Sequence, residues 1–248
     1  MDSRRVAIVT GGMGGLGEAI CKKLHHAGFR VVATHSPSNT EAAGWMAAHK
    51  AEGFDFSTAR IDVAEFSSCE AGIMQILRDL GRIDVLVNNA GITRDMTLRK
   101  MTPDDWMAVR KTNLDSVFNM TKLAIHGMLE NQWGRIVNIS SVNGQKGAFG
   151  QTNYAAAKAA MHGFTKALAL EVASKGITVN TVSPGYLKTK MVTQIPEDVL
   201  KEKILPQIPM GRLGEPDEVA GLVAYLCSED AAFLTGANIS INGGQHMQ

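Results

Sequence analysis

Apolar runs of strand length alternate with helical patterns along almost the whole chain. The first, Val6-Ala7-Ile8-Val9, has no polar interruption, as suits a parallel strand buried on both faces. Such runs predict strands at residues 4–10, 30–34, 55–61, 85–88, 135–140, 178–183 and 238–241. Residues 16–27, 40–51, 67–80, 114–130, 153–174 and 216–228 between them predict helices. This alternation implies right-handed crossovers and a Rossmann-like α/β fold, a doubly wound parallel sheet of about seven strands with helices on both faces. No linker, repeat or low-complexity segment interrupts it, so residues 1–248 are expected to form a single domain.

In such sheets the ligand lies beyond the carboxyl ends of the strands. Thr10 and then Gly11, Gly12, Met13, Gly14, Gly15, Leu16 and Gly17 follow the first predicted strand and open the first helix. Missing side chains let backbone approach a pyrophosphate, and a helix N-terminus offers it N–H groups and positive dipole. The third strand ends at Asp62-Val63, the fourth at Asn88-Asn89-Ala90-Gly91, the fifth at Ser140-Ser141 and the sixth at Pro184-Gly185-Tyr186. Asn88 and Asn89 could equally satisfy backbone groups at a strand end.

After Ser141 the chain reads VNGQKGAFGQTNYAAAK. Alanine favours helix, so Tyr154 and Lys158 share one helical face a turn apart. A phenol has an ordinary pKa of ~10, and a fixed positive charge beside it favours the phenolate. Tyr154 is thereby a candidate general acid/base.

Charge narrows the partners. Lys plus Arg total 25 against 24 Asp plus Glu, giving a net +1 with no basic block, which argues against a nucleic-acid surface. Cys21, Cys69 and Cys227 lack metal-ligand spacing, so no metal site is expected. No apolar run approaches the ~20 residues of a membrane span, and the expected location is the cytoplasm.

These residues resemble the short-chain dehydrogenase/reductase family over essentially the whole chain. Thr10-Gly11 with Gly15 and Gly17 matches its cofactor turn, and Asn88-Asn89-Ala90-Gly91 its strand-four motif. Asn113, Ser141, Tyr154 and Lys158 match its catalytic tetrad, while Pro184, Gly185 and Thr189 match the segment over the nicotinamide. The resemblance implies hydride transfer, with Tyr154 moving the proton, Ser141 bonding the substrate oxygen, and Lys158 lowering the tyrosine pKa and holding the ribose. It also implies that Asn113 anchors a water relay to Lys158; an asparagine there could also cap the following helix. Within the family, TGGMGGLG, NNAGITRD, WGRIVNISSVNGQKGAFGQTNY and TVSPGY are similar to acetoacetyl-CoA reductases of polyhydroxybutyrate synthesis. The implied substrate is acetoacetyl-CoA, selected by residues 144–151 with Asp95, Phe149, Gln151 and Tyr186. The related 3-oxoacyl-[acyl-carrier-protein] reductases grip their carrier with two basic residues beside the site mouth, which match Gln132 and Lys175 here.

The implied donor is NADH or NADPH, bound also by His35, Ser36, Asp62, Val63, Asn89, Ala90 and Gly91. Relatives that prefer NADPH carry arginine near Glu41 and Ala42, so the balance tips narrowly to NADH. His35 and the nearby hydroxyls could still take a 2′-phosphate. Residues 189–213, which include Pro196, Pro206, Pro209 and Met210, fall where the family has a mobile lid. The small residues Ala155, Ala159 and Gly163 permit close approach of another element, within the chain or from a partner. The family assembles as tetramers through this helix. Light scattering is therefore expected to give a homotetramer; a monomer at working concentration would overturn that expectation.

Overall fold

The computed structural model describes residues 3–189 and 197–247. Seven parallel strands form one sheet: β1 (Val6–Val9), β2 (Arg30–His35), β3 (Ser57–Arg60), β4 (Val85–Asn88), β5 (Gly134–Ile139), β6 (Ile177–Pro184) and β7 (Asn238–Ile241). Their order is β3-β2-β1-β4-β5-β6-β7. The chain therefore reverses its winding between β1 and β4, which opens a crevice at their carboxyl ends.

Alternation within β1 shows why that strand is continuously apolar. Ala7 and Val9 enter the core beneath α1 (Gly15–His26), whereas Val6 and Ile8 enter the opposite core. That second core holds α3 (Phe66–Leu80), α5 (Ser116–Asn131) and α7 (Thr152–Val172). The last helix, α8 (Pro216–Leu226), joins α1 on the first face through Val219, Val223 and Leu226. The edge strand β3 reads Ser-Thr-Ala-Arg and is partly exposed, as a strand buried on one side can be.

All seven expected strands are present, within one to two residues at most ends. The expected helix at 40–51 is α2 (Ala42–Ala51), starting two residues later. Among the described residues the short helical turns at 197–207 escaped the sequence reading, and so did two further helices. One is α4 (Pro103–Arg110), with a Thr102/Asp105 capping box and Pro103 at its first turn, a signal legible in Thr-Pro-Asp-Asp. The other is the five-residue α6 (Val142–Lys146), capped by the Ser141 hydroxyl.

Buried polar groups stitch α7 to the sheet. Asn88 Nδ2 donates to Asn138 Oδ1 at 2.8 Å and to Thr121 Oγ1 at 3.2 Å. Asn138 Nδ2 donates to Thr165 Oγ1 at 2.8 Å, and Thr165 exchanges a 2.7 Å bond with Thr181. Asn88 thus serves neighbouring side chains, not the strand-end backbone groups that the sequence suggested. Removing one member strands the others in a dry interior, at about 1–3 kcal/mol for each group left without a partner. Asn138→Leu is expected to lose about 2–3 kcal/mol in urea unfolding; an unchanged midpoint would show that the chain of bonds is dispensable.

Candidate active site

The glycine turn is shaped by contacts that leave no room for side chains. Gly11 has φ +62°, a left-handed conformation that favours glycine. A Cβ on Gly17 would strike the Gly11 carbonyl and stand 2.9 Å from Asn89 Nδ2. Gly12 faces away from the crevice: a Cβ there would lie 2.7 Å from that of Ala33 on β2. Its part is to seat the turn on the sheet. Thr10 Oγ1 accepts from the backbone N–H groups of Asn89 (2.9 Å) and Ala90 (3.0 Å). Asn89 Nδ2 returns bonds to the Thr10 and Gly11 carbonyls, at 2.9 and 3.3 Å. The two strand ends flanking the crevice are cross-braced.

Beyond this brace lies an open cavity of about 730 Å³. Its walls include Gly11, Met13, Gly14, Gly15, Leu16 and Gly17 from the turn. His35, Ser36, Asp62, Val63, Asn89, Ala90, Gly91 and Thr189 complete most of the rest. Gly14 precedes α1 with no side-chain cap, so the first N–H groups of that helix remain for an anion. A dinucleotide fits this cradle in shape and in donor set.

A second cavity of about 260 Å³ shares Leu16, Asn89, Gly91, Ile92 and Thr189 with the first. Ser141, Gln151, Tyr154, Lys158, Pro184, Gly185 and Tyr186 line it. Asn113 stands behind, fully buried in a wide, π-type turn at Lys111–Asp115 between α4 and α5. Its amide grips Ile92 from both sides, accepting from the N–H at 2.8 Å and donating to the carbonyl at 2.9 Å. Those bonds replace the helix cap entertained from sequence. A Cβ on Gly91 would lie 3.3 Å from Asn113 Oδ1 and 3.5 Å from Lys158 Nζ, so the missing side chain keeps a path between them.

Asn143 N–H donates to Ser141 Oγ at 3.1 Å, which leaves the serine proton to be shared with the Tyr154 phenol or given to a substrate oxygen. Lys158 is buried and its ammonium donates to the Ile139 carbonyl at 2.7 Å. Burial lowers its pKa to about 8. Nζ lies 5.6 Å from the Tyr154 ring centre. The phenol itself is raised above its ordinary value by burial, although the Ser141 hydroxyl pulls the other way; Asp95 adds a smaller upward push. The lysine-lowered tyrosine expected from sequence is therefore corrected: in this structure loss of water outweighs the pull of the Ser141 hydroxyl, and the phenol moves up.

The substrate residues divide. Tyr186 and Gln151 line the second cavity, and Gln151 Nε2 donates to Asp95 Oδ2 at 2.7 Å while its carbonyl accepts from Asn143 Nδ2 at 2.9 Å. Asp95 and Phe149 are not on that wall, and Phe149 is 94% exposed. Asn143 and Ile92 were missed, since nothing in their local pattern marks them. Of the lid, residues 190–196, Pro196 among them, lie outside the described residues. Its far end is tied down by Lys146 Nζ on Gln207 Oε1 (3.3 Å) and Met210 N–H on the Gly243 carbonyl (3.1 Å). Gln132 and Lys175 precede β5 and β6, so they occupy the amino edge of the sheet, opposite the cavity and not beside its mouth. Among the described residues, no helix is long and apolar enough to cross a membrane.

A crossed-over parallel sheet, a glycine cradle and a Ser–Tyr–Lys cluster on one edge define a dinucleotide-dependent oxidoreductase. The short chain dehydrogenase family model matches residues 5–200, and the chain belongs to that family. Its relatives include the acetoacetyl-CoA reductase of Cupriavidus necator, 56% identical over 245 residues and 99% of either chain. The acetoacetyl-CoA reductase of Shinella zoogloeoides is 56% identical over 241 residues, 97% of this chain and 98% of the relative. The 3-oxoacyl-[acyl-carrier-protein] reductase of Pseudomonas aeruginosa is 45% identical over 243 residues, 98% of either.

The lysine carries a pH signature. Below about pH 8 its buried charge opposes folding. As pH rises from there towards the ordinary 10.5, the folded chain has lost a proton that the unfolded chain keeps, so stability rises. At about 1.4 kcal/mol per pH unit this is worth about 3 kcal/mol. Tyr154, raised, acts in the opposite sense only above its ordinary 10. In the absence of nucleotide, Lys158→Met should be more stable than the parent at pH 7, with the gap closing by about pH 10 in urea titrations. A gap that ignores pH would refute the assignment.

Proposed function

We propose that this chain is an acetoacetyl-CoA reductase that converts acetoacetyl-CoA to (R)-3-hydroxybutanoyl-CoA for polyhydroxybutyrate synthesis. The observation that carries the reading is the meeting of Ser141, Tyr154 and Lys158 in the cavity that adjoins the glycine cradle, in a chain 56% identical to reductases of that name. A bound, reduced nicotinamide supplies the hydride to the C3 carbonyl carbon. Tyr154 gives its proton to the carbonyl oxygen as negative charge develops there, and the Ser141 hydroxyl donates a hydrogen bond to the same oxygen. Lys158 holds the nicotinamide ribose and, with Asn113 across Gly91, returns the proton to Tyr154. Burial of the phenol favours its neutral, proton-carrying form, which is the form a reduction consumes.

Gln151, held between Asn143 and Asp95, presents its amide to the acyl thioester, and Tyr186 gives apolar contact to the short chain. Phe149, standing free outside that wall, is placed to meet the longer carrier rather than the reacting acyl group. The donor reading is NADH: Glu41 and Ala42 occupy the positions of the arginines, and Arg60 turns its guanidinium to the Pro37 carbonyl at 3.0 Å. The protein acts as a cytoplasmic homotetramer in this reading; the outward-facing Ala159 and Gly163 and the 87% exposed Leu170 on α7 offer the surface for it.

One assay separates these parts. Acetoacetyl-CoA and an acetoacetyl carrier protein are each offered with NADH and NADPH, and kcat/KM is compared. The highest value is expected for acetoacetyl-CoA with NADH; preference for the carrier protein overturns the substrate, and strong preference for NADPH overturns the donor. Tyr154→Phe should lower kcat by about 10²–10⁴-fold while still binding nucleotide.

A further inference from the structure

His162 lies on α7, one turn beyond Lys158, and no step of the reduction uses it. Its Nε2 stands 3.0 Å from Ser140 Oγ and 3.5 Å from Ser183 Oγ. Ser140 is the residue before Ser141 at the end of β5, and Ser183 precedes Pro184-Gly185 at the end of β6. One imidazole thus spans the ends of two strands from the helix that bears Tyr154 and Lys158.

Proton bookkeeping fixes which form of the ring can do this. The Ser140 hydroxyl is already donated to the Lys158 carbonyl at 2.8 Å, and the Ser183 hydroxyl to Asn238 Oδ1 at 2.7 Å. Both oxygens therefore turn lone pairs towards Nε2 and need a donor there. A ring protonated only on Nδ1 would set three acceptors against one another. We propose that His162, with its proton on Nε2, is a positioning residue that locks the Ser141 and Pro184-Gly185 segments to the Tyr154–Lys158 turn.

The geometry makes the arrangement specific. Ser140 N–H also donates to the Val182 carbonyl at 2.7 Å, so β5 and β6 are joined by backbone at the same level. The sheet bond fixes their separation, and the imidazole fixes their height relative to α7. Without it, Ser141 could drift from the phenol by a fraction of an ångström while fold and substrate cavity persist. Displacements of about 1 Å at a reacting centre can cost about a hundredfold in rate. Because the drift changes the approach of reacting groups and not the cavity that holds the substrate, the loss belongs in kcat and not in KM.

The inference rests on the reduction site proposed above, and the test separates the two. His162→Leu keeps bulk and removes the donor; it should lower kcat about ten- to a hundredfold, leave KM within about twofold, and still bind nucleotide. His162→Gln, whose amide restores an N–H at the position of Nε2, should recover kcat to within about threefold of the parent. Equal losses in both variants, or a rise in KM with kcat unchanged, would overturn the proposal. ¹⁵N spectra of histidine-labelled parent enzyme should give the Nε2–H tautomer for His162; the Nδ1–H tautomer would overturn it even if the leucine variant fails to fold. A parent enzyme that reduces no 3-oxoacyl thioester would sink the functional reading while leaving the tautomer measurement to decide the hydrogen bonds.

Discussion

The chain of neutral hydrogen bonds from Asn88 through Asn138 and Thr165 to Thr181 is what the rest of the architecture leans on. A sheet buried on both faces is a poor host for polar chemistry, because every polar atom set inside must find a partner. This chain of amides and hydroxyls supplies partners in sequence, from β4 across β5 to β6, and includes α7 as one of its links. Helix α7 is thereby held at a fixed height on the sheet. Gly144 completes the fit on the other side, since a Cβ there would lie 2.9 Å from Lys158 backbone and side-chain atoms.

With the helix height fixed, the electrostatics of the site follow from depth. Lys158 is driven down to about 8 and Tyr154 is driven up, both chiefly by loss of water. Each shift favours the uncharged form, and together they move the two proton affinities apart, with the phenol above the ammonium. Burial thus keeps the proton on the phenol, the form a reduction consumes, where the bare sequence suggested a phenolate drawn out by charge attraction.

Much of this was legible without coordinates. Period and apolar runs located all seven strands; two-sided burial leaves β1 without a polar residue and β4 with Asn88 alone. The glycine turn was legible for the same kind of reason, since Gly17 answers a backbone contact that excludes any side chain. What stayed hidden depends on three-dimensional closure. His162 reads as one more polar residue on a helix until two serines 22 and 21 residues away meet its ring. Asn113 reads as a cap until a wide turn swings it onto Ile92. The sidedness of Gln132 and Lys175 was misread because parallel strands put residues that precede them at the opposite edge from residues that follow them.

The loop after β2 hangs together differently from everything around the reduction site. His35 Nδ1 meets the Ser36 carbonyl, Ser36 meets Ser38, and Asn39 Oδ1 accepts the Glu41 N–H, all within seven consecutive residues. Its ties to the next strand include the bond from Arg60 to the Pro37 carbonyl and that from the Ile61 N–H to the His35 carbonyl. None of these bonds touches the stitched core beneath α7. In the proposed reading, donor choice therefore lies in a module that a handful of surface substitutions would exchange, leaving the chemistry intact. A lineage could change which reducing pool it draws on without rebuilding its enzyme.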